Sequence, residues 1–180
     1  ALKQHKKISE MKTFRGCNRD GVIAASVYIS CRIHNYPRTA KEIATIFNLD
    51  NTSATKGCKN AITIINSIEE NLSNEDKTDL GTTNAECFIE RYCSKIIIPQ
   101  ELIKLALFVS KIINRDNLIP ENTPPAIAAG IIYFIINEFN LDVSKKSINQ
   151  ISEISEVTIN KCYKKMLSFK EKLIPIALLK

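Results

Sequence analysis

The feature that most constrains this chain is that it repeats itself. Val22-Ile-Ala-Ala-Ser-Val-Tyr28-Ile29 matches Ile127-Ala-Ala-Gly-Ile-Ile-Tyr133-Phe134 at an offset of 105 residues. The same offset carries Lys41-Glu-Ile43 onto Lys146-Ser-Ile148 and Ile46 onto Ile151. After one deletion, Cys58 falls on Cys162 at an offset of 104. Three features in one order at nearly one spacing specify two copies of a single structural unit, each with the same apolar face to bury.

Both copies read as helices. Each opens on a helix dense in small residues, Ala24, Ala25 and Ser26 in one and Ala128, Ala129 and Gly130 in the other. Small side chains let helices approach closely, so this helix should sit centrally among its neighbours. A short helix follows at 41–47 and 145–152, then a turn, then a longer helix at 54–70 and 156–168. That order resembles a helix-turn-helix. Leu102, Leu105, Ala106, Val109, Ile112 and Ile113 follow the rhythm of one buried helical face. Pro99 marks a helix start, and Pro120, Pro124 and Pro125 break the chain before the next one. No stretch sustains the alternation of a strand. The fold class is all-α, two tandem repeats each ending in a helix-turn-helix-like pair. The polar, acidic stretch Ser73–Thr83 is the expected linker, giving units at 1–82 and 83–180.

Composition narrows the function. The longest apolar run, roughly Ala126 to Ile136, is about half of a bilayer span, and the polar N-terminus does not resemble a signal peptide. A chain opening on Ala1 reads as a fragment. Residues 1–60 carry a net +7, residues 61–122 a net −4 and residues 123–180 a net +3. A polyanion, nucleic acid foremost, should therefore meet the ends of the chain rather than its middle; the alternative is an ordinary lysine-rich surface. The six cysteines form no CxxC pair and lie among apolar neighbours, as buried thiols do, which points to structural roles, no metal and a reducing compartment. No Gly-rich phosphate loop or nucleophile–histidine arrangement suggests an enzyme. Glu69, Glu70, Glu75, Asp76 and Asp79 read as solvated linker charge.

The second helix-turn-helix carries the most chemistry. Ser155 is placed to cap the following helix, Glu156 lies in its positive first turn, and Ile154 and Ile159 form a hydrophobic staple. Ile159, Cys162, Tyr163 and Met166 mark the buried stripe, leaving Val157, Thr158, Asn160, Lys161 and Lys164 on the open side. An exposed valine there suits a thymine methyl, and lysines along the same face reach phosphates. The plainer alternative is a solvated face whose valine caps the bundle edge. In the first copy Ser53 is the expected cap, Cys58, Ile62 and Ile65 the buried side, and Lys56, Gly57, Lys59 and Asn60 the exposed one. Gly57 either weakens its helix or admits close approach of a ligand to the backbone.

These motifs together resemble the transcription factor IIB family. Arg19-Asp-Gly-Val-Ile-Ala-Ala-Ser-Val-Tyr-Ile-Ser-Cys-Arg32 followed by Pro37-Arg-Thr-Ala-Lys-Glu-Ile43 is similar to that family's first-repeat signature. Arg91-Tyr-Cys-Ser-Lys95 with Pro99 resembles the start of its second repeat, and Val157-Thr-Ile-Asn-Lys-Cys-Tyr163 its second helix-turn-helix. The resemblance implies two cyclin-like folds that clamp a complex of TATA-binding protein with promoter DNA and help position RNA polymerase, with RNA polymerase II the first expectation. The setting it implies is the nucleus, or the equivalent compartment for an archaeal or viral chain. Val157, Thr158, Asn160 and Lys164 match positions that read the element upstream of the TATA box, with Lys161 beside them. Lys56 and Gly57, with Lys59 nearby, match the downstream minor-groove contact. Arg15, Arg19, Arg32, Arg38 and Lys41 are candidates for an acidic face of TATA-binding protein.

Two departures qualify the resemblance. The family often has arginine where this chain has Asn160, and a Gly-Arg pair where it has Lys56-Gly57. Arginine reads guanine while asparagine suits adenine, so altered upstream preference is expected. The family's N-terminal zinc ribbon has no counterpart here, so no cofactor is expected in this chain. Only about twenty residues precede the first Ala-rich helix against about forty in the second copy, so the first repeat is expected to lack its opening helix. Competing readings are a cyclin-like adaptor that binds proteins and never touches DNA, and a paralogous factor serving another polymerase.

Overall fold

A computed structural model describes residues 1–11, 17–73 and 75–175. The described residues are helical, with no strand among them. They divide into two compact units, Ala1–Thr82 and Thr83–Lys180. The first contains α1 (Leu2–Met11), α2 (Cys17–Ile33), α3 (Ala40–Ile46) and α4 (Asn51–Ile68). The second contains α5 (Glu86–Cys93), α6 (Gln100–Arg115), α7 (Pro124–Glu138), α8 (Lys145–Ser152), α9 (Glu156–Leu167) and the short α10 (Lys170–Leu173).

The small-residue helices are central in both units. α2 packs against α1, α3 and α4, and α7 against α5, α6, α8 and α9. α7 is apolar all round, with Ala128, Ala129, Gly130, Ile131 and Ile132 buried together with Phe134, Ile135 and Ile136. That is the pattern of a helix wrapped by others rather than of one lying on a surface. Pro124 and Pro125 do not precede α7 but form its first turn, where proline's missing N–H would have had no partner and its fixed φ is already helical. α1 stands before α2 as α6 stands before α7, with Ile8 fully buried against the first core.

The caps fix the register of the repeat. Thr39 caps α3 and Ser144 caps α8, and Asp50 caps α4 and Ser155 caps α9. Both pairs stand 105 residues apart, so the repeat runs through its helix-turn-helix with no deletion. Gly57 therefore corresponds to Cys162, and Cys58 to Tyr163. The expected cap at Ser53 is corrected: the Asp50 carboxylate accepts from the Ser53 N–H at 2.8 Å and starts the helix three residues earlier. An aspartate at the positive helix end both accepts the hydrogen bond and meets the dipole, which places it at least on a par with serine.

The close approach of the central helix to its partner depends on glycine. A Cβ on Gly57 would lie 2.7 Å from the carbonyl oxygen of Gly21, and one on Gly130 would lie 2.5 Å from Cys162 Cβ. The cysteines Cys58, Cys93 and Cys162 are buried in these packed layers. Burial pushes the thiol of Cys58 up to about 11 and that of Cys162 up to about 11, and burial with nearby Glu90 pushes Cys93 up to about 12. All three stay protonated and inert near neutrality. No group of three or more metal-ligating side chains is assembled among the described residues. No helix among them is long and apolar enough to cross a membrane.

Gly57→Ala and Gly130→Ala should each destabilise the fold by about 1–3 kcal/mol, the usual cost of overpacking. For units of this size each kcal/mol lowers Tm by roughly 4–8 °C. Thermal unfolding followed by circular dichroism checks this, and unchanged melting in both variants would refute the tight crossings.

Candidate nucleic-acid interface

Each unit presents the second helix of its helix-turn-helix from a firmly held turn. In the first, Asn48 adopts a left-handed φ of 51°, the Leu49 N–H donates to the Ala44 carbonyl at 2.9 Å, and Asp50 then caps α4, while a Thr39–Glu42 capping box holds the far end of α3. In the second, α8 ends at Glu153 in the left-handed region. Asn149 Nδ2 donates to the Ile154 carbonyl at 2.7 Å, and the Ile154 N–H donates to Ser152 Oγ at 3.2 Å. Ser155 Oγ then accepts from the Thr158 N–H at 3.2 Å and starts α9. These local bonds replace helix bonds that the tight turn cannot make.

The anchored faces are Ile159, Cys162 and Met166 on α9 and Ala54, Cys58, Ala61 and Ile65 on α4. What they leave outward is not quite the set expected from periodicity. Lys161 and Lys164 are exposed, and Val157 is 65% exposed, a large apolar side chain left in water on the first turn. Thr158 and Asn160 are only half-buried, not open. The Thr158 hydroxyl lies 2.9 Å from Ser155 Oγ, so it belongs to the cap as much as to the surface.

On α4, Lys56 and Lys59 are exposed, while Gly57 is half-buried and faces Gly21. The reading of Gly57 as an open position is corrected: its missing side chain makes room for α2, not for solvent. With the register at 105, Lys56 corresponds to Lys161 and Lys59 to Lys164. Thr52 and Thr55, both exposed, then correspond to Val157 and Asn160. Periodicity and the 104 offset hid these two threonines; matching the caps Asp50 and Ser155 would have found them.

Other basic residues are neutralised within the fold. Lys165 pairs with Glu121, Lys170 with Glu138, and Lys172 with Asp116 at 2.9 Å. Hydrogen bonds from Arg115 and then Lys172 hold the Asp116 carboxyl far below the usual carboxylate range. Lys56, Lys59, Lys161 and Lys164 have no such partner among the described residues. They are among the positive charges left for an external anion.

The arginine group is less uniform than expected. Arg19 is exposed at the start of α2, and Lys41 is exposed on α3. Arg32 is half-buried and donates Nη2 to the Gly81 carbonyl at 3.0 Å, so it is engaged inside the first unit. Arg38 donates Nη1 to the Tyr36 carbonyl at 3.1 Å. Arg15 lies outside the described residues.

A family model described as the transcription factor TFIIB repeat matches residues 1–63 and 78–169. A transcription initiation factor IIB-like protein of Acanthamoeba polyphaga mimivirus is 31% identical over 172 residues, covering 96% of this chain and 37% of that protein. Transcription initiation factor IIB of Encephalitozoon cuniculi is 30% identical over 171 residues, covering 94% of this chain and 51% of its own length. That of Oryza sativa subsp. japonica is 30% identical, with 95% and 53% covered. The chain thus spans about half or less of the length of these relatives.

Ser155→Ala should cost the second unit about 1 kcal/mol through loss of the cap. The amide of Thr158 should lose protection first in hydrogen exchange, and unaltered exchange there would show that the cap does not hold the helix.

Proposed function

The chain belongs to the transcription factor TFIIB repeat family, and on that premise we propose that it is the two-repeat core of a transcription initiation factor. It holds a complex of TATA-binding protein and promoter DNA and brings RNA polymerase, RNA polymerase II first, to the promoter. It acts by binding rather than catalysis, in the nucleus or an equivalent transcription compartment. The observation that carries this reading is two matched pairs of lysines, Lys56 and Lys59 on α4 and Lys161 and Lys164 on α9, without an internal ion-pair partner and exposed on two capped helices.

The mechanism follows from geometry and charge. Lysines at these positions neutralise phosphates, and such contacts fix the register of a protein on a duplex without reading its sequence. Each unit alone offers few of them and binds weakly. Joining the two makes the second contact intramolecular, so a DNA shape that presents both sites together is favoured over one that does not. TATA-binding protein kinks its DNA, which makes it a fitting platform. Val157 supplies an apolar contact suited to a thymine methyl, and Asn160 a donor and acceptor suited to adenine.

A gel shift with a TATA-box duplex should give a slower band only when TATA-binding protein is also present. The band should weaken steeply between about 50 and 200 mM salt because counterions are released on binding. Lys161→Gln should weaken it on every sequence alike. Absence of any band dependent on TATA-binding protein, with the chain folded, would instead favour an adaptor that binds proteins alone. Asn160→Arg should shift selection from a randomised upstream element toward guanine by about 1–3 kcal/mol at one position. Identical selection profiles for the two proteins would remove Asn160 from the readout.

A further inference from the structure

The acidic segment after α4 reads as free linker from its composition, and its contacts contradict that. Glu69, at the end of α4, is 3% exposed. Its carboxylate pairs with Lys7 of α1 and accepts from the Thr78 N–H at 2.7 Å and from the Thr78 hydroxyl. Burial alone would raise its pKa, but Lys7 and the two Thr78 donors outweigh it and hold the carboxyl below its ordinary value. The group is therefore charged near neutrality and satisfied, which is the condition under which a buried carboxylate is tolerated. Leu80 packs on the first core.

Beyond it the chain is held again. Arg32, in the last turn of α2, donates to the Gly81 carbonyl at 3.0 Å. Gly81 adopts φ +61, and its N–H donates to Asp79 Oδ1 at 2.7 Å. A Cβ there would stand 3.4 Å from Asn35 Oδ1, so glycine serves both the left-handed turn and the close approach to the end of α2. On the far side, Asn84 Oδ1 accepts from the Cys87 N–H at 3.4 Å and from the Cys87 thiol at 3.2 Å, which ties the chain to α5.

We propose that Glu69 and Arg32 form a two-point clamp that seats residues 78–81 on the first repeat and leaves Thr82 and Thr83 as the only free link between the repeats. A flexible linker of eleven residues would have an end-to-end distance of roughly 18 Å with wide scatter. Two residues span at most about 7 Å. The clamp therefore converts a loose tether into a short hinge with a fixed exit point. On the two-site reading above, it narrows the geometries in which both repeats engage one ligand and raises the effective concentration for those that remain.

Hydrogen exchange on the whole chain, without DNA, tests the clamp independently of that reading. The amides of Thr78 and Gly81 should exchange far more slowly than those of an unstructured segment. Glu69→Gln should speed exchange at Thr78 by roughly tenfold or more, the effect of losing a charge-assisted hydrogen bond. Arg32→Gln, which leaves the Lys7–Glu69 pair intact, should speed exchange at Gly81 while α4 and α9 keep their protection. It guards against a Glu69 variant that fails to fold. Exchange of Thr78 and Gly81 at the free-coil rate in the parent chain would overturn the clamp. So would an Arg32 variant with unchanged exchange at Gly81. A clamp that passes while the gel shift fails would leave the hinge in place and remove only its use on DNA.

Discussion

In each unit the central helix and its partner approach too closely to admit one more Cβ. α2 meets α4 where Gly21 faces Gly57, and α7 meets α9 where Gly130 faces Cys162. Helices that approach this closely cannot rotate about their axes without collision, because packed interiors have almost no spare volume. The crossing thus decides which residues of α4 and α9 are buried and, by subtraction, which face out. The caps at Asp50 and Ser155 then set where each helix begins along that fixed axis. Everything proposed for the outward lysines inherits its geometry from these two constraints.

The two units reach the same close packing with different residues. The first unit has a glycine on each helix of the pair, Gly21 and Gly57, where the second sets Gly130 against Cys162. Close packing can thus be met by more than one set of residues, provided each leaves room for the facing helix. This is also why the small-residue motif was legible in the sequence and its exact pairing was not. Alanine and glycine at helical spacing announce a close neighbour, but they do not say which residue of that neighbour they meet. Gly57 read alone is as compatible with an exposed helix as with a buried one, and only Gly21 on another helix separates the two.

The remaining differences have the same character. The repeat, the central helices, the cap at Ser155 and the burial of Cys58 and Cys162 follow from local pattern, and the structure contains them. Asp50 displaced Ser53 as a cap because both lie within one turn of the helix start and either side chain suits the role. Glu69 read as solvated because acidic neighbours surround it in sequence, whereas its partners Lys7 and Thr78 come from elsewhere in the fold. Arg32 reads as free for the same reason, since the carbonyl it meets is 49 residues away. Short-range patterns report which face a residue occupies; they are silent on partners brought together by the chain's return.

Charge shows what that return accomplishes. Lys7, Lys165, Lys170 and Lys172 meet carboxylates within their own units, while the lysines of α4 and α9 that face outward do not. At physiological salt the reach of those charges is about 8 Å, which makes their local placement matter more than the total of +6. Lys56 and Lys59 match Lys161 and Lys164 position for position, while Thr52 and Thr55 stand where the second unit has Val157 and Asn160. Duplication of one scaffold has thus kept the residues suited to a uniform polyanion and let the residues beside them diverge. Two hydroxyls cannot offer the apolar contact of valine or the paired donor and acceptor of an amide. In the proposed reading the repeats share affinity through the lysines, and whatever difference they make between sequences arises at the positions that no longer match.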